Sequence, residues 1–222
     1  MVTHKGYLFI MRKSILAAFI FLLVIGCSSI KGIGKDSFSS NENSLINNAD
    51  SLTPMRVYKI TNKKDSLLLR TNSSYIKPDP NNRTLQIFVK RLYATVRDSI
   101  SMGVGIAAPQ VGVLKNIIWI QRFDKELFPF EVYLNPQIIK YSKETQTVKE
   151  GCLSIPNRTD TLNSRAQSIT IEYDTMYGEH KTETVENFTS VIFQHEIDHL
   201  NGILYLDHLE KEFRDSKKRK IN

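Results

Sequence analysis

The sequence predicts an α+β domain: antiparallel β-sheets around a C-terminal helix. Strand patterns follow one another without regular βα alternation, one pair of them reads as a hairpin, and a helix follows. Ordered patterning starts near Met55. From Arg83 to about Ser99, Leu85, Phe88, Val89, Leu92 and Val96 recur at helical spacing, the signature of an amphipathic helix. Asn116-Ile117-Ile118-Trp119-Ile120 and Glu131-Val132-Tyr133-Leu134 read as strands. Ser168 to Tyr173 alternates, and Tyr177-Gly178-Glu179-His180 marks a turn before another extended run, which makes the hairpin. A last helix is expected from about Thr189 to Leu200. No internal repeat is present.

Of the 222 residues, 41% are hydrophobic and 24% charged, which suits a globular core rather than disorder. The net charge of +7 is spread along the chain, and no basic motif interleaved with aromatics occurs, so nucleic acid is not an expected partner. The two cysteines, Cys27 and Cys152, stand in unlike surroundings and are read as unrelated.

The N-terminal segment reads as an address. Met11-Arg12-Lys13 forms a basic n-region, and Ile15 to Ile25 is an uncharged apolar run, too short for a spanning helix of about 20 residues. Val24-Ile25-Gly26-Cys27 resembles the lipobox of bacterial lipoproteins, which implies acylation at Cys27 and makes Met11 an alternative start. Residues 28–54, rich in Ser and Asn, are expected to be a flexible polar tether. Three regions follow: a signal peptide over 1–27, the tether over 28–54, and a folded domain over 55–222. The expectation is export and lipid anchoring on the periplasmic or outer-membrane side, or a cytoplasmic protein if the signal is not used.

Three short motifs carry chemistry. In His195-Glu196-Ile197-Asp198-His199, the two histidines at i and i+4 share one helix face and can reach one divalent cation. Glu196 stands beside the first ligand, placed to move protons without itself ligating. A catalytic site of this type needs a third protein ligand. Tyr205 stands where a metzincin has its last histidine, and Glu210 and Glu212 lie too close, in a charged run, for a thermolysin-type ligand. Cys152, in Glu150-Gly151-Cys152-Leu153-Ser154, is the remaining thiolate donor, although a lone cysteine is more often a small buried hydrophobe. Gly103-Val104-Gly105-Ile106-Ala107-Ala108-Pro109-Gln110 offers small residues for close backbone approach and an amide donor.

Together and in this order, over roughly residues 60 to 210, the motifs resemble those of the peptide deformylases: G-x-G-x-A-A-x-Q, E-G-C-L-S and Q-H-E-x-D-H. The resemblance implies one divalent metal ion, Fe(II) or Zn(II), on Cys152, His195 and His199. It implies Glu196 as acid and base, and Gln110 with the Leu153 N–H as oxyanion donors. Gly103, Val104 and Gly105 would line the peptide, Val148 and Val191 the methionine pocket, and Glu150 with Arg165 an ion pair behind the cysteine loop. Arg158 sits at a spacing that departs from the family pattern and is left out of the site. The implied partners are N-formyl-Met peptides or protein N-termini, together with a membrane through the lipidated N-terminus. Two other readings stay open: a non-catalytic lipoprotein that binds formyl-peptides or metal, and a metallopeptidase of different specificity.

Overall fold

The computed structural model describes residues 36–98 and 102–221; Cys27 and the expected signal segment lie outside them. Three helices come first: α1 (Ser40–Ile46), α2 (Lys63–Leu69) and α3 (Arg83–Arg97). Strands β1 (Gly105–Ala107), β2 (Ile117–Gln121), β3 (Phe130–Tyr141), β6 (Ser168–Asp174) and β7 (His180–Glu186) form one antiparallel sheet in the order β1-β2-β3-β6-β7. Strands β4 (Thr145–Cys152) and β5 (Ile155–Ala166) pair as a separate hairpin, followed later by α4 (Asn187–Leu200) and α5 (Tyr205–Ile221).

The expected α+β class with antiparallel sheets is what forms. All five apolar positions of α3 are buried, as their spacing requires. The alternating Ser168–Tyr173 run pairs with β7 across a turn in which Gly178 takes φ 81°, a left-handed value that glycine adopts without strain. The long β4–β5 hairpin is absent from the sequence reading, because its strands are mostly polar and half-exposed and carry little periodic signal. The histidine-bearing helix is also not the last one, since α5 continues beyond it.

The tether expectation is overturned from Phe38 onward. Ser39 and Glu42 form a capping box that starts α1, and Ile46 is fully buried. Phe38 meets Phe88 of α3 edge-on at 5.7 Å. The buried Arg91 of α3 donates from Nη1 to the carbonyls of Leu45 and Ile46 and to Asn48 Oδ1, satisfying the open end of α1. A polar composition therefore conceals two apolar anchors and a cap whose partner lies about 45 residues away. Among the described residues, no helix is long and apolar enough to cross a membrane.

Candidate metal centre

Helix α4 runs with Val191, Ile192, Phe193 and Ile197 buried among the strands, which holds its polar residues at fixed positions. His195 and His199 stand one turn apart with ring centroids 5.1 Å from each other. Cys152 is the last residue of β4, and Leu153-Ser154 make the tight turn into β5. That turn brings the thiol to the helix: Cys152 Sγ lies 3.2 Å from His199 Nε2. The donor atoms of Cys152, His195 and His199 all fall within 4.8 Å of one another.

The site's electrostatics favour a cation. Burial by itself would raise the Cys152 thiol, but His199 and His195 hold it well below the ordinary thiol range. His195 Nδ1 donates to Glu150 Oε2 at 2.8 Å, which leaves its other ring nitrogen for the centre. Glu150 accepts two bonds from Arg165, at 2.7 and 3.0 Å, as expected. Burial would raise the Glu150 carboxyl, yet His195 and Arg165 bring it down to about 2. Glu196 lies fully inside, and burial pushes its carboxyl up to about 7 against the pull of His195 and His199.

Among the described residues, two buried atoms of the site, Glu196 Oε2 and His199 Nδ1 on the far side of the ring from Cys152, have no hydrogen-bond partner. An orphaned Glu196 oxygen beside a thiolate and two imidazoles suits a soft to borderline divalent ion, Fe(II), Zn(II) or Co(II), so the residues present fit such a metal. Gln110, also buried, accepts from the Ala107 N–H through Oε1 and turns Nε2 towards Cys152 Sγ at 3.7 Å and Ser154 Oγ at 3.3 Å.

A cavity of about 580 Å³ opens over these groups, lined by Gly103, Val104, Gly105, Gln110, Leu153 and Val191 among others. Those sequence-derived residues converge. Val148 does not: it lies half-exposed on β4 and is not among the lining residues, whose β4 members begin at Lys149. Gly105 lines the cavity and also leaves room for Glu196, since a Cβ there would fall 2.6 Å from Glu196 Oε1. Arg158 lines the cavity while paired with Asp160 at 2.7 Å.

Sequence reasoning missed three neighbours. Asp198 accepts from Arg165 at 2.6 Å and meets His208 Nε2 at 2.8 Å, extending the ion-pair chain to α5. Ser154 donates its N–H to Cys152 Sγ at 3.4 Å. Lys59 Nζ donates to the Leu153 carbonyl across 94 residues of chain. Asp198 was visible inside the histidine motif and Ser154 inside the cysteine motif; nothing local marks Lys59.

A water-accessible cavity above a thiolate, two imidazoles and a buried carboxylate defines a metal-dependent hydrolase. Residues 57–215 match the family model for polypeptide deformylase. A peptide deformylase of Lacticaseibacillus casei is 43% identical over 114 residues, covering 50% of this chain and 62% of that protein. One of Desulforudis audaxviator is 36% identical over 155 residues, covering 69% and 94%. The class I type b peptide deformylase of Acinetobacter baumannii superposes with a TM-score of 0.62 at 31% identity, covering 70% of this chain and 99% of that one. The chain belongs to the peptide deformylase family, metal-dependent enzymes that remove the formyl group from nascent peptides.

Proposed function

We propose that this chain hydrolyses the N-formyl group of formyl-methionyl peptides, releasing formate, with one divalent metal on Cys152, His195 and His199. The observation that carries the reading is the meeting of those three donors within 4.8 Å beside a buried, unpartnered Glu196 oxygen. When bound, the cation acts as a Lewis acid and lowers the pKa of water from about 15.7 towards about 7. Glu196, from the His-Glu-x-x-His run on α4, accepts the proton of the attacking water and passes one to the departing amine as the C–N bond breaks. Gln110 Nε2 and the Leu153 N–H are the donors for the oxyanion. Gly103, Val104 and Gly105 line the peptide, and Val191 borders the methionine side chain. The family's substrate size fits, since the Acinetobacter enzyme has been crystallised with Met-Ala-Ser bound.

Formate release from formyl-Met-Ala, compared with acetate release from acetyl-Met-Ala, tests this. We expect fast deformylation and little deacetylation, because a formyl carbon carries only hydrogen. Comparable rates would point to a metallopeptidase of different specificity, and no release from either to a binding protein that keeps the fold.

The place of action is the second part of the proposal. The n-region, the apolar run and Val24-Ile25-Gly26-Cys27 support cleavage before an acylated Cys27 and anchoring outside the cytoplasm. The tether would then be short, because folded structure begins by Phe38. In such an oxidising place we favour Zn(II) over Fe(II). Mass spectrometry of the native N-terminus, with fractionation of Cys27→Ala, tests it; an unprocessed chain in the cytosol would remove this part alone.

A further inference from the structure

Three successive residues ahead of α2 reach the two segments that carry Gln110 and Leu153. The Tyr58 N–H donates to the Gln110 carbonyl at 2.7 Å, and the Ile60 N–H donates to the Ser154 carbonyl at 3.0 Å. The Lys59 N–H between them faces the other way, to Asp65 Oδ2 of α2 at 3.1 Å. The segment is thus pinned from both edges, which fixes where the Lys59 side chain starts. That side chain lines the cavity, yet its ammonium donates to the Leu153 carbonyl in the cavity wall.

The carbonyl that Lys59 meets belongs to the Leu153–Ser154 amide, the middle one of the two-residue turn between β4 and β5. No strand pairs with such an amide, so its orientation is set by whatever meets its two ends. At the other end, the Ser154 N–H donates to Cys152 Sγ at 3.4 Å. Ser154 itself is fully buried, and its Oγ accepts from Gln110 Nε2 at 3.3 Å. A cation on the carbonyl end of an amide polarises it and makes its N–H a stronger donor. Lys59, the amide and the sulfur therefore form one line of polarisation.

We infer that Lys59 is a positioning residue for the thiolate ligand: through the Leu153–Ser154 amide it aims and strengthens the hydrogen bond that Cys152 Sγ accepts from Ser154. The inference rests on the reading of Cys152 as a metal ligand. A hydrogen bond to a ligating sulfur draws electron density away from it. Less donation from the sulfur leaves a bound cation more electron-poor, which is what Lewis-acid chemistry on a formyl group needs. Lys59 also fixes the turn that presents the Leu153 N–H, since that N–H and the carbonyl it grips flank one Cα.

The test is the sulfur-to-cobalt charge-transfer band of the full chain loaded with Co(II), read beside formate release from formyl-Met-Ala. Lys59→Met should move the band to longer wavelength, because a sulfur with a weaker hydrogen bond gives up charge more readily. The same variant should lower kcat by about 10- to 100-fold with KM little changed. Lys59→Arg, which keeps a cationic donor, should return the band and most of kcat. An unmoved band in Lys59→Met would overturn the inference. So would a raised KM at unchanged kcat, which would make Lys59 a contact to the peptide. Should Lys59→Met fail to fold, Lys59→Gln keeps a neutral donor and must show a smaller shift in the same direction; no shift there would overturn the inference equally. Absence of the band from the unmodified chain would mean that Cys152 is not a ligand, and that reading would fall together with the role of Lys59.

Discussion

Gly105 leaves room for Glu196: a Cβ at position 105 would lie 2.6 Å from Glu196 Oε1 and 2.8 Å from Ile192 Cγ2. Helix α4 is held against β1 and β2 by buried side chains and cannot back away at low cost. The added methyl must therefore move the carboxylate. Gly105→Ala should keep its metal, because the atoms nearest that Cβ belong to Glu196 and Ile192 and not to a ligand, and lose on the order of 100-fold in turnover. Metal content measured beside formate release checks this. Unchanged turnover would show that Glu196 has room to shift.

The ligands and the base should separate cleanly. Cys152→Ala and His199→Ala are expected to lose most of their metal, each removing one of three donors. Glu196→Gln should retain metal while turnover falls by about 100- to 10,000-fold, the usual contribution of a positioned acid or base. Full occupancy in both ligand variants would discard the assignment, and near-normal turnover of Glu196→Gln would mean that another base operates.

Arg165→Met should cost about 3 to 5 kcal/mol, because it strands the buried carboxylate of Glu150 and the partly buried one of Asp198 that Arg165 now pairs. Urea denaturation measures the loss. Metal affinity should fall as well, since Glu150 orients His195. A variant of ordinary stability would mean that His195 and His208 suffice as partners for the two acids.

Ile46→Ala should destabilise the domain by about 2 to 5 kcal/mol, the range for truncating a fully buried Ile. A chain beginning after α1 should lose at least as much. Were residues 28–54 a free tether throughout, both changes would leave the denaturation midpoint where it was.

Asp65 is buried beneath Arg56, which bonds it at 2.7 and 2.9 Å and lowers its carboxyl below the ordinary value of about 4. A lowered folded value gives stability that is present above about pH 4, the unfolded value, and is lost as pH falls from there through the folded one. Asp65→Asn should therefore lower stability at neutral pH and narrow its gap to the unmodified chain in acid. A constant gap between pH 7 and pH 3 would remove the carboxylate's charge from the explanation.

What the sequence alone determined was the chemistry. His195 and His199 are bound by helical spacing to share a face, and Glu196 is bound to stand beside them. Cys152 was named only because no other third ligand suited and because the three motifs resemble a known family. The amphipathic α3 and the β6–β7 hairpin were legible for the same reason, that the periodicity of a helix or a strand is local. Tertiary structure decided whatever depends on distant partners. It set Gly105 against Glu196 and tied Arg91 to the end of α1. It moved Val148 out of the cavity and brought Phe123 against Phe188 of α4. Each of these contacts joins residues far apart in the chain, and side-chain packing fixes them only once the sheet and α4 have closed on each other.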